Sequence, residues 1–176
     1  GHDGSILFVG RLEKRKCVDA LLGGAARVPG AIRLAGRQAS RARARVEAAA
    51  ERLSVLDRVE FHGVVDDEEL DRLYRRACVV ALQSASEGFV FAVLEALARG
   101  VPVLVAEGTG AAETGGPAAL AVDTVDPEAV ATALRKAADP EYRRAVAVAG
   151  PARALEFTPE RTARGYVEAW RDALGG

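Results

Sequence analysis

The sequence predicts an α/β fold with six parallel strands and helices on both faces. Short apolar runs alternate along the chain with segments of helical apolar spacing, which is the pattern of βαβ units and a parallel sheet. The runs are almost continuously apolar, as expected of strands that helices cover on both sides. Right-handed crossovers then give a doubly wound, Rossmann-like sheet.

The elements of the first half follow one another regularly. Each predicted strand is a short apolar run that ends at a glycine or a polar turn. The first four strands are predicted at residues 6–9, 31–35, 59–62 and 78–82. The helices between them are predicted at residues 18–28, 39–53 and 68–76. The last of these has acids in its first turn and arginines in its last, and Asp66 or Asp67 is placed to cap it.

The stretch at residues 84–100 connects the fourth strand to the next helix. It reads SASEGFVFAVLEALARG, a polar turn followed by an apolar helix-forming segment that Gly100 and Pro102 end. Glu95 interrupts the apolar segment, and a carboxylate is costly to bury there unless it has a partner. Glu87 lies eight positions earlier, in the turn. Two acids around a strand-to-helix turn favour a polar ligand at that helix N-terminus.

The same alternation continues to the end of the chain. The remaining strands are predicted at residues 103–105 and 119–122, with a glycine-rich turn at residues 107–110. Asp-Pro pairs open helices at residues 126–138 and from residue 139 onward. We expect the second of these to be interrupted near Gly150 and Pro151. A last helix is predicted at about residues 159–174, with Trp170 anchoring it to the core.

Composition limits the class of protein. The chain has 176 residues, of which 49% are hydrophobic, so one domain can fill a core. A net charge of −1 lacks the positive field of nucleic-acid binding. The apolar runs are too short for a transmembrane segment, and two cysteines fit a reducing compartment. We expect a cytoplasmic domain at residues 6–176, after a disordered start, linker or tag at residues 1–5.

A basic turn, GRLEKRK, follows the first strand. Alone it would more often be a solvated surface turn. Ligands of doubly wound sheets bind at the carboxyl ends of the strands, and Arg11, directly after Gly10, is placed to point into that crevice. Lys16 lies just before the helix that begins at Val18, whose N-terminus also favours anions. An arginine fork together with a lysine point charge suits a diphosphate.

Four segments of the chain together resemble one family. They read ILFVGRLEKRK, RVEFHGVVDDEELDRLYRRA, SEGFVFAVLEALARGVPVLVAE and EFTPERTARGYVEAW. The set resembles the C-terminal, nucleotide-sugar-binding half of retaining glycosyltransferases of the GT-B fold, the family 4-like or group 1 glycosyltransferases that include bacterial mannosyl- and glucosyltransferases. The resemblance covers nearly the whole chain and, together with the strand–helix alternation, implies the strand order 3-2-1-4-5-6. Glu87 and Glu95 match that family's two glutamates, which seven residues separate.

The resemblance implies a role for each matched position. Arg11 and Lys16 would hold the diphosphate of the donor and stabilise it as it leaves. Glu87 would approach the hydroxyls of the donor sugar, and Glu95 would bind the ribose hydroxyls. Backbone N–H groups of residues 89–91 would donate to the phosphate and the sugar, and residue 65 would touch the base through its backbone. The donor-binding positions besides Glu95 would thus be Gly10, Val65, Phe89, Val90 and Phe91.

The resemblance also implies the chemistry and the partners. The donor would be a nucleoside-diphosphate sugar, and transfer of its hexose would retain the anomeric configuration. We expect no metal and no cofactor, because two cations and a helix dipole take the place of a metal ion. The missing partner would be an N-terminal acceptor domain, so this fragment alone should be inactive. Peripheral association of the full enzyme with the inner face of the membrane stays open.

Two positions depart from the family pattern and keep other functions open. Val90 and Cys17 stand where the family usually has glycine, and a side chain at Val90 could crowd the sugar. One alternative is therefore a nucleotide-binding module that no longer transfers. Another is a nucleotide-sugar epimerase of the same architecture, which would need further acids and histidines in the crevice. His2 and His62 do not match the catalytic histidine of the missing half. The base, the sugar, the acceptor and the oligomeric state stay open.

Overall fold

The computed structural model describes residues 1–84, 91–158, 167, 170 and 171. Within this part of the chain, six parallel strands form one sheet in the order β3-β2-β1-β4-β5-β6. The strands are β1 (Ser5–Val9), β2 (Ile32–Ala35), β3 (Val59–Gly63), β4 (Ala77–Leu82), β5 (Val103–Ala106) and β6 (Ala119–Val122). The predicted fold class and strand order are confirmed.

Helices connect the strands and cover both faces of the sheet. The α-helices of the described residues are α1 (Val18–Ala25), α2 (Ser40–Arg52), α3 (Asp67–Arg76), α4 (Phe91–Ala98), α5 (Gly110–Gly115), α6 (Pro127–Ala138) and α7 (Pro140–Ala154). Asp66 caps α3 as predicted, since its carboxylate accepts a hydrogen bond from the backbone N–H of Glu69 at 2.8 Å.

The sheet separates two hydrophobic cores. Ile6 and Phe8 of β1 point into the core that contains buried residues of α1, α2 and α6. Leu7 points into the other core, which contains buried residues of α3, α4, α5 and α7. This alternation is the period of two that a strand imposes. Because both faces are covered, the strands are apolar almost throughout, as the sequence pattern indicates.

Asp3 and Ser5 are part of the fold, whereas the sequence suggested a disordered start, linker or tag at residues 1–5. Ser5 begins β1, and the Asp3 carboxylate accepts hydrogen bonds from Arg33 at 2.8 Å and from Arg76 at 3.1 Å. Arg33 is buried on β2 and also donates to Glu60 at 2.8 Å. Burial alone would raise the pKa of Asp3, but hydrogen bonds from Ser5 and Arg33 outweigh it and hold that pKa below its ordinary value.

Helix α5 was not predicted from the sequence. The expected glycine-rich turn is present at residues 107–109, and its last predicted residue, Gly110, begins the helix. It runs from Gly110 to Gly115. Because glycine has a low helix propensity, the glycines at its two ends prevent a propensity argument from predicting this helix. Gly115 is needed for packing, because a Cβ there would overlap the Cβ of Ala119. Tight contact with the start of β6 therefore stabilises a helix that its own sequence does not favour.

Helix α7 is continuous where an interruption is expected. It passes through Gly150 and Pro151 without a break. A Cβ on Gly150 would stand 2.7 Å from the carbonyl oxygen of Leu97, so α7 lies very close to the end of α4 at this point. We attribute the continuity to this close packing, which offsets the roughly 3 kcal/mol that an internal proline costs.

The predicted last helix, at residues 159–174, lies outside the described residues except at three positions. Val167, Trp170 and Arg171 are helical. Trp170 is 72% exposed, so the expectation that it anchors this helix in the core is wrong.

Candidate functional site

The carboxyl ends of β1, β2 and β3 surround a cleft of about 240 Å³, which we call the strand-end cleft. It is lined by Val9, Gly10, Arg11, Ala35, Gly36, Arg37, Val64, Val65 and Leu70. The sheet order brings these segments together, because β1 lies beside β2 and β2 beside β3. The cleft lies where a doubly wound sheet is expected to bind its ligand. Among the predicted donor-binding residues, Gly10, Arg11 and Val65 meet here.

Two glycines form the backbone floor of the strand-end cleft. The N–H of Gly10 donates to Ala35 at 2.8 Å, and the N–H of Gly36 donates to Gly63 at 2.6 Å. Gly36 has a φ of +129°, and a Cβ on it would overlap the carbonyl oxygen of Gly10. Only glycine fits this close approach. The floor thus presents backbone, without side chains, to a ligand.

The basic turn lies at the mouth of the same cleft. Arg11 is 63% exposed and pairs with Glu13 at 3.0 Å, an exposed ion pair that a bound anion can replace at little cost. Lys16 closes the 3₁₀ turn Lys14–Lys16. Its Cε stands 4.0 Å from the point that a Cβ on Gly10 would occupy. The structure therefore places Lys16 beside Gly10 and Arg11, although Lys16 itself does not line the strand-end cleft.

Cys17 has an uncommon backbone conformation between this turn and α1. Its φ is +50°, in the left-handed region, and its N–H donates to Lys14 at 3.2 Å. A residue other than glycine pays about 1–2 kcal/mol in this region. The backbone therefore explains why glycine suits the position, and it shows that a cysteine is accommodated there.

Glu95 has the partner that its apolar helix requires. The hydroxyl of Tyr74, on α3, donates to the Glu95 carboxylate at 2.7 Å. Glu95 itself is exposed on α4. Among the described residues it does not line the strand-end cleft; it lines a separate concavity of about 470 Å³ between α4 and the end of α7.

Tyr74 is the residue of this site that sequence reasoning missed. Its side chain is buried, and the guanidinium of Arg99 lies 4.9 Å from its ring centroid. Arg99 is in turn held by Asp71 at 2.8 Å. Burial first, and then the hydrogen bond to Glu95, raise the pKa of Tyr74. The phenol therefore stays protonated and acts as a donor. The available signal was a tyrosine within the apolar pattern of α3, which by itself indicates only a core residue.

Part of the predicted site falls outside the described residues. Glu87, Phe89 and Val90 belong to that part. Phe91 begins α4 and is 71% exposed. At the end of β4, the hydroxyl of Ser84 lies 3.5 Å from the carbonyl oxygen of Arg15 and so connects this turn with the basic turn.

Gln83 has no obvious role in the described structure. It is buried at the end of β4, and neither its amide nitrogen nor its amide oxygen finds a hydrogen-bond partner in the part of the chain that is described.

Residues 1–84 and 91–158 hold no group of three His, Cys, Asp or Glu side chains arranged for a metal ion. None of the described helices combines the length and the apolar character that a bilayer crossing needs.

Comparison with known proteins decides the family. The sequence matches the family described as glycosyl transferases group 1 over residues 2–152. The chain belongs to this family. The family resemblance predicted from the sequence is thereby confirmed.

Two curated relatives of this group 1 chain share a name. A D-inositol 3-phosphate glycosyltransferase from Corynebacterium urealyticum is 36% identical over 93% of the chain and 42% of its own length. The protein of the same name from Segniliparus rotundus is also 36% identical, over 97% of the chain and 40% of its own length. The chain thus spans less than half the length of these relatives.

Solved structures agree on the fold of this group 1 chain. Sucrose-phosphate synthase from Thermosynechococcus elongatus superposes with a TM-score of 0.83 at 30% identity, over 97% of the chain and 45% of that structure. Anabaena HepE, in complex with UDP and glucose, superposes with a TM-score of 0.81 at 20% identity, over 98% and 49% respectively. The second likeness shows the fold alone. The fold is that of the C-terminal half of a GT-B glycosyltransferase.

Proposed function

We propose that this chain is the donor-binding half of a retaining glycosyltransferase, which transfers a hexose from a nucleoside-diphosphate sugar to an acceptor. The observation that carries the proposal is the strand-end cleft, whose backbone floor at Gly10 and Gly36 lies beside Arg11 and Lys16. Membership of the glycosyl transferases group 1 family supports it.

The cleft offers the base and the diphosphate of a nucleoside diphosphate suitable contacts. The base lies against the backbone of Val65, beyond β3, where the cleft is apolar. The diphosphate lies over Gly10, because a floor without side chains is there next to Arg11 and Lys16. Charge-assisted hydrogen bonds from Arg11 and Lys16 are the strong contacts for such an anion.

The same cations serve the transfer step. When the bond between the anomeric carbon and the phosphate oxygen breaks, negative charge develops on the departing diphosphate. Arg11 lines the cleft and Lys16 lies beside its floor residue Gly10, so both cations are near enough to stabilise this charge. In this proposal Glu87 approaches the sugar hydroxyls, and the N–H groups of residues 89–91 contact the phosphate and the sugar. No metal ion is needed.

Glu95 is assigned to the ribose hydroxyls, with Tyr74 holding its carboxylate at 2.7 Å. A carboxylate accepts hydrogen bonds from two hydroxyls at once, which matches a ribose. Since Glu95 does not line the strand-end cleft among the described residues, the ribose must lie between the cleft and α4.

An N-terminal acceptor domain completes the proposed enzyme. The curated relatives are more than twice as long as the matched chain, which leaves room for such a domain. Because these relatives are named D-inositol 3-phosphate glycosyltransferases, a phosphorylated inositol is the first acceptor to test. We place the enzyme in the cytoplasm, with peripheral attachment to the inner face of the membrane as an open extension.

The epimerase alternative loses support from the lining of the cleft. Such an enzyme would need further acids and histidines in the crevice. The residues that line the strand-end cleft in the described chain include two arginines but no carboxylate and no histidine.

Calorimetric titration of the 176-residue chain with UDP, GDP, ADP and their sugars tests the proposal. We expect weak binding of one nucleoside diphosphate and no transfer, because half of the active site and its exclusion of water are absent. UDP is the first probe, since it is the nucleotide in the HepE structure. Turnover above trace level would show that the second half is dispensable. Failure to bind any of the six ligands would contradict the proposed function.

A further inference from the structure

A second and larger cleft lies on the other side of Arg11 and Arg37, between the basic turn and the start of α2. Its volume is about 690 Å³. We call it the basic cleft, and it is lined by Arg11, Leu12, Glu13, Lys14, Arg37, Ala39, Arg41, Ala42 and Arg45. Arg11 and Arg37 also line the strand-end cleft, whereas Arg41 and Arg45 line only the basic cleft.

The charge of the basic cleft is strongly one-sided. Five cationic side chains face it with one carboxylate, Glu13, in a chain whose net charge is −1. Glu13 is already paired with Arg11 at 3.0 Å and Arg15 at 2.8 Å. Within the described residues, the side chains of Lys14, Arg37 and Arg41 make no hydrogen bond or ion pair. Concentrated positive charge in a concave surface attracts an anion.

Arg45 adds unsatisfied donors to this cleft. Its Nε and Nη2 atoms are buried without a hydrogen-bond acceptor in the described structure, although its side chain is 31% exposed as a whole. The closest carboxylate, that of Asp19, lies 3.7 Å from Nε, beyond hydrogen-bonding distance. Leaving buried guanidinium donors unpaired is costly. Because these two atoms are closed to solvent, an anionic ligand in the cleft would supply the missing acceptors only after a change of the Arg45 rotamer.

The first turn of α2 also favours an anion in the basic cleft. Its N-cap residue, Ala39, has no side-chain acceptor, and its first turn contains no acid. In contrast, Asp66, Asp126 and Asp139 cap α3, α6 and α7 through their carboxylates. The N–H groups at the start of the 13-residue helix α2 therefore remain available beside Arg41 and Arg45.

We propose that the basic cleft binds a small phosphorylated molecule, separately from the nucleoside diphosphate. A phosphate monoester carries a compact double charge with oxygens that match arginine forks. The cleft volume lies in the range of small-molecule sites, which favours a soluble sugar phosphate over a flat membrane surface. This inference does not depend on the proposed function, because Arg41 and Arg45 lie outside the strand-end cleft.

The test is a titration followed by amide NMR shifts of the 176-residue chain. The probes are inorganic phosphate and glucose 6-phosphate, with glucose as the uncharged control. We expect both phosphates, and not glucose, to shift the amides of Ser40, Arg41 and Ala42. Arg41→Ala and Arg45→Gln should each raise the Kd for glucose 6-phosphate roughly tenfold.

Arg52→Ala is the matched control, because Arg52 is exposed at the other end of α2 and does not line the cleft. It removes the same charge from the same helix and should leave the Kd unchanged. Equal weakening by Arg52→Ala and Arg41→Ala would contradict a defined site. Arg41 is exposed and has no partner among the described residues, so its variant decides the question even if Arg45→Gln fails to fold.

Two further measurements distinguish the other occupants. With the tightest-binding nucleoside diphosphate at saturation, the Kd for glucose 6-phosphate should change less than about threefold. Complete displacement would mean that the phosphate occupies the donor site, which would overturn the inference. Binding to phosphatidylglycerol vesicles without binding of glucose 6-phosphate would overturn it in favour of a membrane surface. If no nucleoside diphosphate binds, the proposed function fails while the Arg41 comparison still tests this site.

Discussion

Arg11 and Glu95 have separate surroundings, so their contributions to nucleotide binding can be measured separately. Arg11 is exposed at the strand-end cleft, and Glu95 lies on α4 beside Tyr74. Arg11→Ala should weaken nucleoside diphosphate binding roughly ten- to a hundredfold, because each charge-assisted hydrogen bond contributes about 1.5–3 kcal/mol. A nucleoside without phosphate should bind nearly as before. The calorimetric effect of the substitution should shrink as salt rises.

Glu95→Gln should give the opposite pattern. It keeps the shape of the side chain and removes the anionic acceptor of the ribose hydroxyls. Binding of diphosphate and nucleoside should weaken alike, and discrimination between ribo- and deoxyribonucleotides should fall. The effect should persist at high salt. Unchanged titration curves for both Arg11→Ala and Glu95→Gln, with an intact fold by circular dichroism, would reject the site assignment.

Tyr74 is expected to position Glu95 and not to touch the donor. Tyr74→Phe removes the 2.7 Å hydrogen bond to the carboxylate and leaves the buried ring in place. Ribose discrimination should fall roughly three- to tenfold, consistent with a hydrogen bond of about 1 kcal/mol. Titration with paired ribo- and deoxyribonucleotides measures it. A loss of thermal stability with unchanged discrimination would show that Tyr74 is structural only.

At the scale of elements, the ends of β1 and β2 depend on one glycine contact. Gly36→Ala should destabilise the domain by about 2–4 kcal/mol, because the new Cβ combines a backbone clash with a φ of +129°. Gly63→Ala is the control. Its φ is +70° and a Cβ would meet nothing within 4 Å, so it should cost only about 1–2 kcal/mol. Equal costs in urea denaturation would contradict the close approach of Gly10 and Gly36.

The sequence predicts elements well where the pattern is local. Predicted strand bounds differ from the observed ones by at most one residue, because continuous apolar runs such as residues 78–82 leave few alternatives. Helix α5 could not be predicted, since Gly115 is chosen for contact with Ala119 and not for helix propensity. The continuity of α7 likewise depends on its contact with Leu97. Packing between distant segments decides whether these elements form, and local helix propensity carries no information about that packing.

For the site, the sequence predicted the residues at the strand ends but not their partners. Gly10 and Arg11 follow a strand directly, so topology places them. The hydrogen bond from Tyr74 to Glu95 joins α3 to α4 and requires the relative position of two helices. The basic cleft likewise requires Arg41 and Arg45 to meet the turn after β1. From the sequence alone, those arginines indicate only that α2 is a charged helix.

At the scale of the whole molecule, the Asp3 network connects the chain start with β2 and α3. The pKa of Asp3 is lowered in the folded state, so its stabilisation is full above its unfolded value of about 3.8 and is lost as pH falls below it. Asp3→Asn should lower the free energy of unfolding by roughly 1–2 kcal/mol at about pH 6. Urea denaturation should show the two proteins converging toward about pH 3 and below. A difference that does not depend on pH would exclude this ionised network.

The most direct test of the donor-binding assignment is a crystal structure of this chain with the nucleoside diphosphate that binds most tightly. We predict the diphosphate over Gly10, within hydrogen-bonding distance of Arg11 and Lys16, and the base against the backbone of Val65. A diphosphate bound instead beside Arg41 and Arg45, with the strand-end cleft empty, would contradict the account.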